Sequence, residues 1–157
     1  PGKGGGAMRI PVRITAKMHS SGRRFRTSAM FVIGNGEGVI GVGRGSSVDA
    51  RNAMAKSLRR AKINIIKIMR GCGDWECRCG TDHSVPFKTE GHSGSVRVIM
   101  KPAPKGVGLV ADNETKKLLK MAGIKDIWIK TFGNTSNRVN LIYAVLDALK
   151  KLYIYKK

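Results

Sequence analysis

Between Gly71 and Ser84 the hydrophobic periodicity of this sequence stops, and the segment GCGDWECRCGTDHS separates two amphipathic stretches. A chain of 157 residues fits one ordinary domain or two very small ones, so the break is read as a boundary. The organisation expected is a flexible Gly-rich start over 1–8, a first domain over 9–70, a Cys/His connector over 71–84 and a second domain over 85–157.

In the first domain Ile10, Val12 and Ile14 alternate with Pro11, Arg13 and Thr15, which predicts a strand over 9–17. Phe25, Thr27, Ala29, Phe31 and Ile33 share one face of a second strand over 24–33. Asn35-Gly36 predicts a tight turn, because both residue types tolerate positive φ, and Val39 to Val42 return as a third strand of an antiparallel meander. Ser46 or Ser47 is expected to cap a helix reaching Ile68, with Ala50, Met54, Leu58, Ala61, Ile65 and Ile68 as its sheet-facing stripe. The run Gly36 to Gly41 matches GxGxxG, but here the glycines open a strand rather than a helix, so turn geometry is the reading and not a dinucleotide site.

The second domain reads as mixed. Short strands are expected near 85–90 and 95–101, then a PAPKGVG turn and a helix from Asn113 to Ala122 stopped by Gly123. A strand over Ile124–Phe132 follows, and Thr135 or Ser136 caps a last helix whose Val139, Ile142, Val145, Leu146, Leu149 and Leu152 form an apolar stripe. The fold class is α+β.

Charge narrows the function. Thirty Lys plus Arg against ten Asp plus Glu leave +20, while 41% hydrophobic residues suffice for a core, so the chain is a folded polycation suited to a polyanion such as nucleic acid. No apolar run is long enough to span a bilayer, so no membrane partner is expected. The start PGKGGGAMRIP shows no apolar signal segment, and three cysteines crowded between 72 and 79 are an odd number, which points to a reducing cytoplasmic compartment. Before Glu37 the cations Lys3, Arg9, Arg13, Lys17, Arg23, Arg24 and Arg26 have no carboxylate among them. RNA contact is therefore expected at Arg13, Lys17, Arg23, Arg24 and Arg26, where GRRFR sits on a hairpin tip, and at Lys56, Arg59 and Arg60 on the outer face of the helix. With aromatics at only 6%, recognition of phosphate and shape is favoured over base stacking.

No catalytic set emerges: His19 and His92 lie in Gly/Ser-rich turns without a nucleophile, and the carboxylates are scattered. A kinase-like use of the second domain would need a phosphate loop feeding a helix and a positioned acid, which PAPKGVG lacks. Neither an enzyme nor a small-molecule substrate is expected. Cys72, Cys77, Cys79 and His83 are the sharpest local signal, because three thiolates and an imidazole complete a closed tetrahedral shell for structural zinc. Reduced spectator thiols and redox cysteines are the rival readings.

Taken in order, GRRFRTSAMFVIGNGEGVIGVGRG, AMAKSLRRAKINIIKIMRG, HSVPFK, GSVRVIMKPAPKGVGLVA, LLKMAGIKDIW and KTFGNTSN resemble the family of small-subunit ribosomal protein five, over roughly residues 9 to 152. The connector CGDWECRCGTDHSVP looks like its archaeal branch, and chain upstream of the first domain looks shortened against archaeal members. The resemblance implies a first domain like a double-stranded-RNA-binding fold, a three-stranded sheet plus helix, and a second α+β domain with a left-handed βαβ crossover. It implies a structural constituent of the small ribosomal subunit in the cytoplasm, with ribosomal RNA and neighbouring ribosomal proteins as partners, that supports translational accuracy and the messenger entry path. By the same resemblance the loop Lys17 to Arg26 reaches RNA, and Pro104, Lys105, Gly106 and Gly108 lie at a protein contact. The alternative is a free RNA-binding or ribonucleoprotein assembly factor using the same folds.

Overall fold

The computed structural model describes residues 6–77 and 79–154. The first half runs β1 (Gly6–His19), β2 (Gly22–Gly34), β3 (Val39–Ser47), α1 (Ala50–Ile63) and β4 (Ile65–Lys67). Its sheet has the order β1-β2-β3-β4, antiparallel throughout. The second half runs β5 (Thr89–Ser93), β6 (Val96–Pro102), β7 (Leu109–Val110), α2 (Asn113–Ala122), β8 (Ile127–Phe132) and α3 (Arg138–Ile154). Its sheet is ordered β5-β6-β8-β7, and only β7 and β8 are parallel, joined through α2. The protein is thus an α+β chain with an antiparallel sheet plus helix followed by a mixed sheet with helices. Among the described residues no helix is long and apolar enough to cross a membrane.

The hairpin expected at Asn35-Gly36 is present. Asn35 Oδ1 accepts from Glu37 N at 2.8 Å and from Val39 N at 3.1 Å, and Gly36 and Gly38 take φ of 72° and 90°. The stop at Gly123 is also present, with φ 78°, and Asp112 caps α2 by accepting from Glu114 N.

Several boundaries differ from expectation. The start expected to be flexible over 1–8 is strand from Gly6, paired with Gly34, while residues 1–5 lie outside the described residues. The helix expected to reach Ile68 ends at Ile63, and Ile65–Lys67 adds a fourth strand to the free edge of β3. The β-branched run Ile63, Ile65, Ile66 favours extended backbone once a sheet edge is within reach. Ser46 and Ser47 remain in β3, and the cap position of α1 falls to Asp49, which makes no side-chain cap bond. At α3 it is Asn137 Oδ1, not Thr135 or Ser136, that accepts from the first turn, from Asn140 N at 3.5 Å. The strand expected near 85–90 sits at Thr89–Ser93, and the short β7 was not expected at all.

α1 buries Ala53, Ser57 and Ala61, while Met54 and Leu58 of the expected stripe are only half-buried. Glycines of β3 cause this. A Cβ on Gly41 would collide with Ala61 O, on Gly43 with Ala61 N and Ser57 O, and on Gly45 with Ala53 O. The helix therefore lies directly on the strand backbone, leaving room only for small residues. The opposite face of this sheet contributes Ile10, Met30, Val32, Ile40 and Val42 to one continuous core with Val96, Val98, Met100, Leu118, Leu119, Ile127, Leu149 and Leu152 of the second half. The halves are also joined by backbone: Gly36 N and Gly38 N donate to Met121 O and Ala122 O, both at 3.0 Å, satisfying carbonyls at the end of α2.

Candidate nucleic-acid interface and metal centre

β1 and β2 run past the end of the body as a two-stranded arm in which every residue from Arg13 to Arg26 is exposed. Directly opposed residues of an antiparallel pair share a face. The register Arg13↔Ser28, Thr15↔Arg26 and Lys17↔Arg24 sets Arg13, Lys17, Arg24 and Arg26 on one face. The pairs Ile14↔Thr27, Ala16↔Phe25 and Met18↔Arg23 form the other. The arm is amphipathic, with four cations on one side and Ile14, Met18 and Phe25 exposed on the other. A register shift between Ile10 and Arg13 does the re-aiming, since the face that carries buried Ile10 toward the core continues outward as the cationic face. Among the described residues no carboxylate pairs with these four cations.

The arrangement separates two residues that the sequence groups. Arg23 stands opposite Met18 on the apolar face, whereas Arg24 stands opposite Lys17. Lys56, Arg59 and Arg60 are exposed on α1, which covers the face bearing Ala29 and Phe31, so by register they lie on the side away from the arm's cations. Arg60 is further tied down, donating to Arg44 O at 2.8 Å.

The connector begins and ends in one backbone bridge, in which Gly71 N donates to Ser84 O at 3.0 Å and Ser84 N to Gly71 O at 2.9 Å. Inside this closed loop the Cys72, Cys77 and Cys79 sulfurs and a ring nitrogen of His83 all lie within 4.8 Å of one another. The thiols are half-buried and His83 is buried, while Trp75 is 88% exposed. His83 Nε2 is 3.4 Å from Cys77 Sγ. A tetrahedral shell with metal–sulfur bonds of about 2.3 Å has sulfur–sulfur edges of roughly 3.8 Å, so the four donors need only a small contraction to close on an ion. The donor set fits a metal. Cys79 is lowered to about 6, first by a backbone hydrogen bond at Thr81 and then by hydrogen bonding with Cys77, whereas desolvation pushes Cys72 up to about 11.

The turn between β6 and β7 carries Pro104, Lys105, Gly106 and Gly108, with φ of 99° at Gly106 and 76° at Gly108, a region that favours glycine. Asp126 Oδ1 accepts from Gly108 N at 2.8 Å and from Gly106 N at 3.2 Å, leaving Lys105 and Val107 exposed at the rim. Asp126 was not singled out by the sequence: it lies inside the segment LLKMAGIKDIW, but as one carboxylate among ten with no ligand or partner spacing of its own. A cleft of about 1090 Å³ opens between the halves beside this turn and the connector, with Arg70, Lys105, Lys116, Lys120 and Lys125 on its walls.

Comparison with known proteins gives a consistent pattern. The family profile described as ribosomal protein S5, N-terminal domain, matches residues 8–69, and the one described as ribosomal protein S5, C-terminal domain, matches residues 91–157. A small ribosomal subunit protein uS5 from Nanoarchaeum equitans is 53% identical over 142 residues, 90% of this chain and 62% of that protein. The protein of the same name from Staphylothermus marinus is 50% identical over 145 residues, 92% of this chain and 68% of that protein. That of Methanocaldococcus jannaschii is 49% identical over 143 residues, 91% and 66%. The chain thus spans about two thirds of the length of these relatives, and only 62% in the first case.

Proposed function

This chain belongs to the family of small ribosomal subunit protein uS5, and from that premise we propose that it is a non-enzymatic structural protein of the small ribosomal subunit, seated on ribosomal RNA through the cationic face of its arm. The observation that carries this reading is the row Arg13, Lys17, Arg24 and Arg26, exposed on one sheet face with no carboxylate partner among the described residues. Guanidinium groups fork onto phosphate oxygens, and a two-stranded ribbon holds them in a fixed row at little entropic cost. Lys56 and Arg59 add a second basic surface on the far side of the sheet, and Arg23 takes a lesser part than its neighbour.

The protein as a whole helps line the messenger entry path, and the turn from Pro104 to Gly108 is a contact for a neighbouring ribosomal protein through which the chain influences decoding accuracy. Its outward Lys105 and Val107 support this role. Cys72, Cys77, Cys79 and His83 hold zinc, since three thiolates and an imidazole are a soft set that leaves no open position. That centre is structural. It stiffens the connector between the module of residues 9–70 and the module of residues 85–157.

Phosphate neutralisation releases counterions, so binding of the whole chain to a small-subunit ribosomal RNA fragment should weaken about a thousandfold between 50 and 200 mM salt if some six phosphates are engaged. Salt-insensitive binding contradicts the reading. Sedimentation with small subunits in high salt separates a resident protein from a free assembly factor, which would stay in the soluble fraction.

A further inference from the structure

His83 stands between two structures that lie far apart in the sequence. Its Nε2 faces the thiols, 3.4 Å from Cys77 Sγ, and its Nδ1 lies 2.8 Å from Asp126 Oδ2. The other oxygen of Asp126 holds the N–H groups of Gly106 and Gly108. Backbone reinforces the junction: Lys125 N and Asp126 N donate to His83 O at 2.9 and 3.1 Å, and Ile127 N donates to Gly108 O at 3.1 Å. Both side chains are buried, His83 at 4% and Asp126 at 5% exposure.

We propose that Asp126 is a positioning residue that joins the Cys/His centre to the Pro104–Gly108 turn, so that metal occupancy of the centre governs the order of that turn. The proposal rests on the reading of the centre as a zinc site. A neutral imidazole that ligates through Nε2 keeps its proton on Nδ1, and a carboxylate beside Nδ1 fixes that tautomer and the ring orientation. Asp126 is the carboxylate so placed. Its contact with Nδ1 is within ion-pair reach without being an aligned N–H···O hydrogen bond. The pair therefore has an adjustment left to make, and the ring orientation that governs it is what ligation constrains.

The turn depends on the same carboxylate. Its one internal backbone bond, Val107 N to Pro104 O, is long at 3.4 Å. The two glycine N–H bonds to Asp126 are charge-assisted and are the stronger anchor. Of the two oxygens of Asp126, one answers to the metal ligand and the other to the turn. A displaced His83 ring is felt two bonds away at Gly106 and Gly108.

Hydrogen exchange of the peptide 104–110 in the whole chain, zinc-loaded and chelated, tests this alongside zinc titration of variants. In the wild type, chelation should speed exchange of the turn by roughly tenfold. Asp126→Asn keeps an oxygen for the glycine N–H groups but removes the anion beside His83, so zinc affinity should fall about 10- to 100-fold while the zinc-saturated turn stays protected. Asp126→Ala should lose both. If the wild type binds no zinc by elemental analysis, the zinc reading and this inference fall together. If it binds zinc but the turn exchanges equally with and without it, or if Asp126→Asn binds zinc like the wild type, the inference alone is overturned.

Discussion

The arm from Arg13 to Arg26 and the connector from Gly71 to Ser84 both stand outside the shared core, yet they are held by different means. The arm needs no side chain to keep its shape, because an unbroken antiparallel ladder pairs Arg13 with Ser28 and continues to His19 and Gly22. Its side chains are left free for a partner, and the register sorts them by charge. Among its described residues the connector has a bridge at its mouth, Gly71 with Ser84, and no strand inside it. What converges there are three thiol sulfurs and an imidazole nitrogen, and its one bulky apolar residue, Trp75, is exposed to solvent. An exposed segment ordered by its own backbone leaves its surface available for recognition, whereas the four donors of the connector could hold a metal, which would spend those side chains on structure.

The largest effect is expected where that contrast is sharpest. Replacing Cys77 and Cys79 by Ser should abolish metal binding and raise proteolytic nicking within residues 72–82 by roughly tenfold or more, while the arm keeps its protection. Limited proteolysis followed by mass spectrometry reads both regions in one digest, and equal nicking in wild type and variant would erase the distinction. A middle-sized effect should separate the two faces of the arm. Arg24→Ala is expected to lower the slope of log affinity on log salt for ribosomal RNA by about one, whereas Arg23→Ala on the apolar face should change it by much less. Equal losses would mean that the register does not decide which arginine meets phosphate. The smallest effect is expected at Trp75. With its side chain 88% exposed, Trp75→Ala should shift unfolding free energy by no more than about 0.5 kcal/mol in urea titration. A larger loss would show the connector leaning on apolar packing after all.

Much of this was legible in the residues. Alternation revealed β1 and β2; Gly36 and Gly123 announced their turns because positive φ leaves a strong local signature, while Asn35, which does not take positive φ, contributes through its side-chain acceptor. The Cys/His set was visible because its four members fall within twelve residues. What escaped is what depends on partners distant in sequence. Ile65 and Ile68 continue the helical spacing of α1, and only the unpaired edge of β3 makes Ile65–Lys67 a strand. Gly41 reads as part of a turn run and Gly43 and Gly45 draw no reading, yet all three are the floor on which α1 lies. Arg23 and Arg24 are neighbours in sequence and opposites in the sheet. Asp126 lies in the segment LLKMAGIKDIW without any spacing that marks its role, and its place between His83 and the Gly106–Gly108 turn exists only in three dimensions.

The central claim, that one face of the arm holds the chain on ribosomal RNA, is tested most directly by the salt slope of a variant carrying Arg13→Ala, Lys17→Ala, Arg24→Ala and Arg26→Ala together. All four side chains are exposed, so the body should stay folded, which circular dichroism verifies in the same sample. If each cation neutralises one phosphate, the slope of log affinity on log salt for a small-subunit ribosomal RNA fragment should fall by about four relative to the wild type. A folded variant with an unchanged slope would contradict the account and move the RNA site to another basic surface of the protein.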